Sequence, residues 1–354
     1  MNSQERTHLN KVLTRDGHEL WRKPNVVGVG LGTKVTGGIR NPFRTCITVL
    51  VAKKEPTGLL PVNDLVPKNL GGAETDVIEV GTLKAQTVRK PEAFKAHDPT
   101  GRCRPVWPGC SVGHFSITAG TLGLIVKSKA TDEELLLSNN HVLANSNQAS
   151  IGDQIWQPGS YDGGTSKDVI AYLTDYVEIM WDGAGGGGGP VLPPECPIAG
   201  KLASVLNAAA AVTGRKHRLQ AVLPSSEVNI MDAAIASFDG SVEFTRSIPE
   251  IGIPKGTMST VEPGQFVQKY GRTTRHTTGH VLSIDTQVRV QYDQGKTATF
   301  HDQIVAGAMS QGGDSGSAVL TGDQVVGLLF AGSDQATIFS PIVPILEELD
   351  VYLA

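Results

Sequence analysis

Apolar positions along the chain first follow a helical period and then, from residue 25 onward, the short alternating period of strands. Leu9, Val12, Leu13, Leu20 and Trp21 recur at roughly helical spacing and predict an amphipathic helix over residues 4–22. Asn25–Leu31 and Thr45–Val51 read as strands on either side of a Gly-rich, Pro-containing turn region. A short helical segment around Val62–Leu70 and a strand over Thr75–Val80 follow. Helix, two strands, helix and strand in this order predict a small α+β domain over residues 1–85. The spaced glycines Gly28, Gly30 and Gly32 precede a strand and do not open a helix, so a dinucleotide loop is not expected there.

Residues 86–110 carry Pro, Lys and Arg with little periodicity and read as a linker. From residue 111 the pattern is strand and turn. Leu122–Val126 and Leu135–Leu137 flank the turn at residues 130–133, and strands are expected at Gln154–Trp156, Val169–Leu173 and Val228–Phe238. Between the last two, a run of glycines at 183–189 predicts a loop, and Ala199–Val212 predicts a helix, together an insertion over 183–213. Three prolines between Ile248 and Pro263 mark a second linker. Beyond it strands are expected at Gln265–Tyr270, Gly279–Asp285, Gln287–Tyr292, Ala298–Val305, Ala318–Leu320, Val325–Phe330 and Ala336–Phe339, before a C-terminal helix over Pro344–Leu353. The prediction is an all-β main body in two halves, 111–255 and 256–354, behind the α+β domain.

Composition narrows the function classes. With 354 residues, 40% hydrophobic and 19% charged, the chain reads as globular. A net charge of −4 offers no electrostatic footprint for nucleic acid or an anionic membrane, and no apolar run reaches spanning length. No cofactor or metal is expected, because Cys46, Cys103, Cys110 and Cys196 lack paired zinc-site spacing. Free thiols are favoured, with a Cys103–Cys110 bridge as the alternative. The first residues lack an apolar h-region, so a cytoplasmic location is expected, with secretion open if a leader is missing.

The candidate chemistry centres on Gln311–Val319, where Ser315 stands between Asp314 and Gly316, just before an apolar strand. A serine hydroxyl is a weak nucleophile at neutral pH, so it needs a base and donors for a developing oxyanion. The glycines allow a tight turn that aims the N–H groups of Gly313 and Ser315 at one spot. A base should be a histidine with its far nitrogen held by a carboxylate. His141 follows an apolar strand in Ser138-Asn-Asn-His141. Asp232 interrupts the otherwise apolar run Asn229–Ala236, where an unpaired carboxylate would be costly and so needs a partner. Asp239 and Asp175 are weaker rivals, in turn-like or alternating polar surroundings.

The order and local strings of Ser138–His141, Asp232–Ile235 and Gly313–Gly316 resemble those of the trypsin/chymotrypsin-like serine peptidases of bacterial type. The resemblance spans about residues 111–341. It implies two six-stranded Greek-key β-barrels with His141, Asp232 and Ser315 in the cleft between them, and an oxyanion hole from Gly313 and Ser315. It also implies a specificity pocket with Met309 and Ser310 at its base and Gly332 and Thr337 on its walls. Gly271–Thr274 resembles a segment whose arginine binds the aspartate before the nucleophile, so Arg272 is expected to bind Asp314. No Ile-Val-Gly-Gly-type start precedes residue 120, which argues against activation by a newly cut N-terminus. The pocket holds no acid, so small or medium uncharged side chains are expected as substrate; Ser310, Thr337 and His280 or His301 would instead suit an acidic one. The leading expectation is a serine endopeptidase acting on protein or peptide through an acyl-enzyme. The alternatives are a non-catalytic peptide-binding or scaffold protein on the same fold and a hydrolase of non-peptide esters. The α+β domain is expected either to regulate the cleft by docking on it or to recruit a partner.

Overall fold

Two curled, mainly antiparallel sheets form the body of the computed structural model, which describes residues 1–85, 98–182 and 228–354. The first sheet has eight strands in the order Val351–Leu353, Leu124–Ser128, Glu134–Ser138, Ala234–Phe238, Val169–Tyr176, Gln154–Trp156, Ser111–His114 and Gly120–Thr121. The second runs Phe266–Gly271, Ala318–Thr321, Gln324–Gly332, Ala336–Pro341, Thr297–Gly307, Arg275–Gln291, Val26–Thr36, Ile39–Val51, Ala73–Glu79 and Asn69–Leu70, with Gly256–Thr257 beside Gln324–Gly332. Phe266–Gly271 pairs with both Arg275–Gln291 and Ala318–Thr321, so six of these strands close into a barrel without free edges. The fold is the mostly-β, chymotrypsin-like double barrel that the sequence predicts.

The N-terminal strands continue the second sheet. Val26–Thr36 pairs antiparallel with Arg275–Gln291, and Leu9, Val12, Leu20, Val29 and Ile47 share one apolar cluster with Val267, Val281, Ile304 and Phe339. The residues expected to form a separate module over 1–85 therefore share hydrogen bonds and core with the second sheet. The spaced glycines have a packing role: side-chain carbons at Gly28 and Gly32 would meet the main-chain oxygens of Gln287 (3.0 Å) and Leu282 (2.9 Å) on the paired strand.

Several element limits differ from the expectation. The helix over 4–22 is two, Ser3–Asp16 and His18–Trp21. An Asn2 side chain accepting from Glu5 N at 2.8 Å caps the first. In place of the helix expected over Val62–Leu70, a 3-10 turn, Val62–Asp64, and the short strand Asn69–Leu70 form, because Pro61 and Pro67 confine the turn on both sides. The strands expected at Gly279–Asp285 and Gln287–Tyr292 are one 17-residue strand, Arg275–Gln291, which ends before Tyr292 and absorbs Asp285 at φ +48° as an irregularity. The C-terminal helix covers only Ile342–Glu348; Asp350 at φ +50° turns the chain into the strand Val351–Leu353, which closes on Leu124–Ser128. The glycine loop and helix expected over 183–213 lie outside the described residues.

Candidate active site

Strand pairing delivers the first two candidate residues. Ser138 is opposite Ala234 in the antiparallel pair Glu134–Ser138 and Ala234–Phe238, so the residues just after one strand meet those just before the other. Three residues past Ser138, the one-turn helix Asn140–Leu143 lifts His141 off the sheet. Two residues before Ala234 lies Asp232, whose side chain is fully buried. His141 Nδ1–H donates to Asp232 Oδ2 at 2.6 Å, and the His141 backbone N–H donates to Oδ1 at 3.1 Å. Asn139 Nδ2 donates to the Asp232 carbonyl at 2.6 Å, tying the helix entry to the same residue. The partner that a buried Asp232 requires is thus supplied several times over. Asp239 accepts from nearby Ser241 instead, and Asp175 from Tyr176 N, so neither rival reaches the imidazole.

Tyr292 completes this cluster and was not singled out from the sequence. Its hydroxyl donates to Asp232 Oδ2 at 2.8 Å, and its ring packs edge-on to the imidazole at 5.9 Å. Burial first, then the neighbouring carboxylate, holds the phenol well above its usual pKa, so it stays a donor. Asp232 fixes one imidazole nitrogen. The other, His141 Nε2, is buried and has no hydrogen-bond partner among the described residues.

Ser315 comes from the second barrel, in the loop before Ala318–Thr321. That loop docks on the first sheet: Thr121 N donates to Ser315 O at 2.8 Å, and Thr121 Oγ1 donates to Gly313 O at 2.8 Å. Gly120 lies between the two halves of the site. A side-chain carbon there would touch Val142 Cγ1 at 2.8 Å and Ser315 O at 3.0 Å, so the serine's main chain and the helix of His141 are one small residue apart. Ser315 Oγ itself donates to Phe330 O at 3.3 Å rather than to His141. The structure therefore joins His141 to Asp232, and sets Ser315 beside the same helix without forming the serine–histidine bond.

The loop's peptide planes are pinned from behind. Thr273 Oγ1 donates to Gly312 O at 2.7 Å, and a trans peptide then turns the Gly313 N–H to the opposite side. Likewise Ser317 N (3.0 Å) and Ser317 Oγ (2.5 Å) hold Asp314 O, which turns the Ser315 N–H away from them. Gly313 and Gly316 have φ of +99° and +94°, values that suit glycine.

Asp314 anchors this loop through a fully buried ion pair, and its cation differs from the expected one. Lys269 Nζ lies 3.2 Å from Asp314 Oδ2 and also donates to Arg275 O at 3.0 Å and to Thr274 Oγ1. Burial lowers the Lys269 pKa, and Asp314 partly offsets that. The Asp314 carboxylate also accepts from Thr273 N, Thr274 N, Thr274 Oγ1 and Gln311 N at 2.6–3.0 Å. Arg272, expected on Asp314, instead pairs with Asp162 through Nε at 2.7 Å and through Nη2. It flanks Gly313 from that position. Lys269 was missed because, beside Gln268 in the strand Phe266–Gly271, it reads as an ordinary solvated lysine.

Two cavities flank the site. One, of about 280 Å³, is lined by His141, Val142, Ala119, Tyr292, Lys296 and Ala85. The other, of about 390 Å³, is lined by Ser310, Gln311, Gly312, Gly332, Asp334 and Lys84. Ser310 and Gly332, two of the four residues expected around a specificity pocket, both line this second cavity. Met309 instead packs in the cluster with Leu9 and Val281. Thr337 Oγ1 is 2.9 Å from Ser310 Oγ and accepts from Met309 N at 3.1 Å, which locks the two segments together. Cys46, Cys103 and Cys110 are buried free thiols, and burial pushes the Cys46 thiol up to about 12.

Residues 204–345 match the family model described as Trypsin; the match takes in Asp232 and Ser315 and leaves His141 outside. No curated protein matches the chain. Among solved structures, it is similar to the Nocardiopsis protease NAPase, with 15% identity over 71% of this chain and 99% of that one at a TM-score of 0.44. It is similar also to Thermobifida fusca protease A, with 16% identity over 71% and 99% at 0.42. The Trypsin family match thus falls on residues 204–345, within a mostly-β fold of two curled sheets.

Proposed function

We propose that the protein is a serine endopeptidase that hydrolyses peptide bonds through an acyl-enzyme, with Ser315 as nucleophile, His141 as base and Asp232 as its orienting acid. The observation that carries this reading is the imidazole held at Nδ1 by a buried carboxylate at 2.6 Å, with Nε2 unpartnered among the described residues beside the Ser315 loop. A base of this kind needs one nitrogen fixed and the other available. Catalytic hydrogen bonds are often unformed until substrate binds, so the Ser315–Phe330 bond is compatible with a resting state. The match to the Trypsin model supports peptidase activity in general.

In this mechanism Ser315 Oγ attacks the scissile carbonyl carbon as its proton passes to His141 Nε2. Asp232 and, behind it, Tyr292 keep the Nδ1–H tautomer and offset the imidazolium charge. The N–H groups of Gly313 and Ser315 receive the oxyanion; removing one such donor typically costs about 2.7–4 kcal/mol of barrier. Nε2–H then protonates the leaving amine as the C–N bond breaks. Water, deprotonated by His141, then attacks the ester carbonyl, and His141 returns that proton to Ser315 Oγ as the acyl C–O bond breaks.

A second reading, a non-catalytic peptide-binding protein on this fold, is favoured by one observation, the donation of Ser315 Oγ to Phe330 O instead of to His141. A digest of a mixed peptide library separates the two. New termini with wild type and none with Ser315→Ala support the peptidase; an intact library that is nonetheless retained by both proteins supports the binding protein.

A further inference from the structure

The segment Leu83–Ala85 enters the second sheet as a single bridged residue rather than as a strand. Lys84 N donates to Gly332 O at 3.1 Å, and Gly332 N donates back to Lys84 O at 3.0 Å, an antiparallel pair. On its other side Ala85 N donates to Gln291 O at 2.9 Å, and Gln291 N donates to Leu83 O at 3.1 Å. Four main-chain bonds, two on each edge, thus hold the three residues between two strand ends. Such bonding recognises a backbone and not a sequence, which is how a sheet edge takes up a guest peptide.

Position and direction give this bridge its meaning. Gly332 is two residues beyond Phe330 on one strand, and Phe330 O is the acceptor of Ser315 Oγ. Antiparallel to that strand, the chain from Leu83 to Ala85 runs from the Gly332 end toward the Phe330 end. Lys84 lines the cavity of Ser310–Gly312, while Ala85 lines the one that holds His141. Upstream anchors hold the segment in place. Val80 and Leu83 are buried with Phe330, Ala331 and Tyr292, Ser333 Oγ donates to Val80 O, and Gln335 Nε2 donates to Glu79 Oε1 at 3.1 Å.

We infer that Leu83–Ala85 is a resident peptide in the substrate groove, bound through Gly332 and Gln291, and that an extended substrate gains the groove only by displacing it. The inference rests on the peptidase reading of Ser315 and His141. It gives the N-terminal strands a definite role, because as part of the second sheet they hold the resident segment at a fixed distance from the nucleophile.

The test compares full-length wild type, Lys84→Pro and Leu83→Ala. Proline removes the N–H given to Gly332 O; alanine removes most of the buried anchor. Each protein is assayed with a fluorogenic tetrapeptide library, which needs the groove, and with a small fluorophosphonate, which needs only the nucleophile and its base. The expected result is fluorophosphonate labelling of all three and library hydrolysis raised about fivefold or more in both variants, the equivalent of one lost main-chain bond. Labelling of all three with library hydrolysis unchanged or lowered in folded variants overturns the inference. No labelling of any protein instead overturns the peptidase reading. Where neither variant folds, amide exchange on wild type decides: protection of the Lys84 and Gly332 amides comparable to their sheet neighbours supports the resident peptide, and free exchange at Lys84 overturns it.

Discussion

Replacing Lys269 by Met isolates the ion pair that holds the Ser315 loop in place. Lys269 and Asp314 are both fully buried, 3.2 Å apart. Removing one partner of a buried pair leaves an uncompensated charge and generally costs roughly 3–5 kcal/mol. Asp314 would keep its four remaining donors, from Thr273, Thr274 and Gln311, which places Lys269→Met near the lower end, at about 3 kcal/mol. In urea, with a slope of about 3 kcal/mol/M, the midpoint should fall by about 1 M. Because Asp314 N, Gly313 and Ser315 belong to the loop that this carboxylate anchors, turnover should fall as well, more than KM rises. Asp314→Asn in the same background removes the stranded charge. The double variant should then be less destabilised than the two single losses added together. Strict additivity, within about 0.5 kcal/mol, would refute the pairing as the source of the effect.

Tyr292→Phe removes one hydrogen bond to Asp232; a bond to a charged group is worth about 1.5–3 kcal/mol, so kcat/KM should fall roughly tenfold or more while the fold persists. Steady-state kinetics on a fluorogenic peptide check this, and an unchanged rate contradicts it. Gly316→Ala should destabilise by at least about 2 kcal/mol, since its φ is +94° and the new carbon would meet Ser138 Oγ and the Thr121 carbonyl. Thermal melts read that loss. Burial lowers the pKa of His301 below 6.5, with the charge of Asp302 acting in the opposite direction. Below pH 6.5 the unfolded chain then binds a proton that the folded chain resists, so stability is lost as pH falls from 6.5 through the folded value. Urea midpoints at about pH 7 and about pH 5 should show a smaller drop in His301→Gln than in wild type.

The strands and the three chemical segments were legible because each is a local signal. Alternation marks the barrel strands, and Gly313–Gly316 needs its glycines in sequence as well as in space. Asp232 announced itself as one acid in an apolar run, and the structure supplies the partners that such burial demands. Residues that act across sheets left no such trace. Tyr292 looks like the end of a strand, yet the barrel brings its hydroxyl to Asp232 from 60 positions away. Lys269 and Arg272 are three residues apart, and only strand register decides which of them turns toward Asp314. Main-chain pairing such as Val26–Thr36 with Arg275–Gln291 is equally silent in composition, so the N-terminal segment read as separate when its strands extend the second barrel.

The most direct test of the central claim is intact-mass mapping of a fluorophosphonate adduct. One adduct on Ser315 in wild type, absent from Ser315→Ala and strongly slowed in both His141→Ala and Asp232→Asn, is the predicted result. An adduct that forms at the same rate without the imidazole, or that maps to another side chain, would contradict the account.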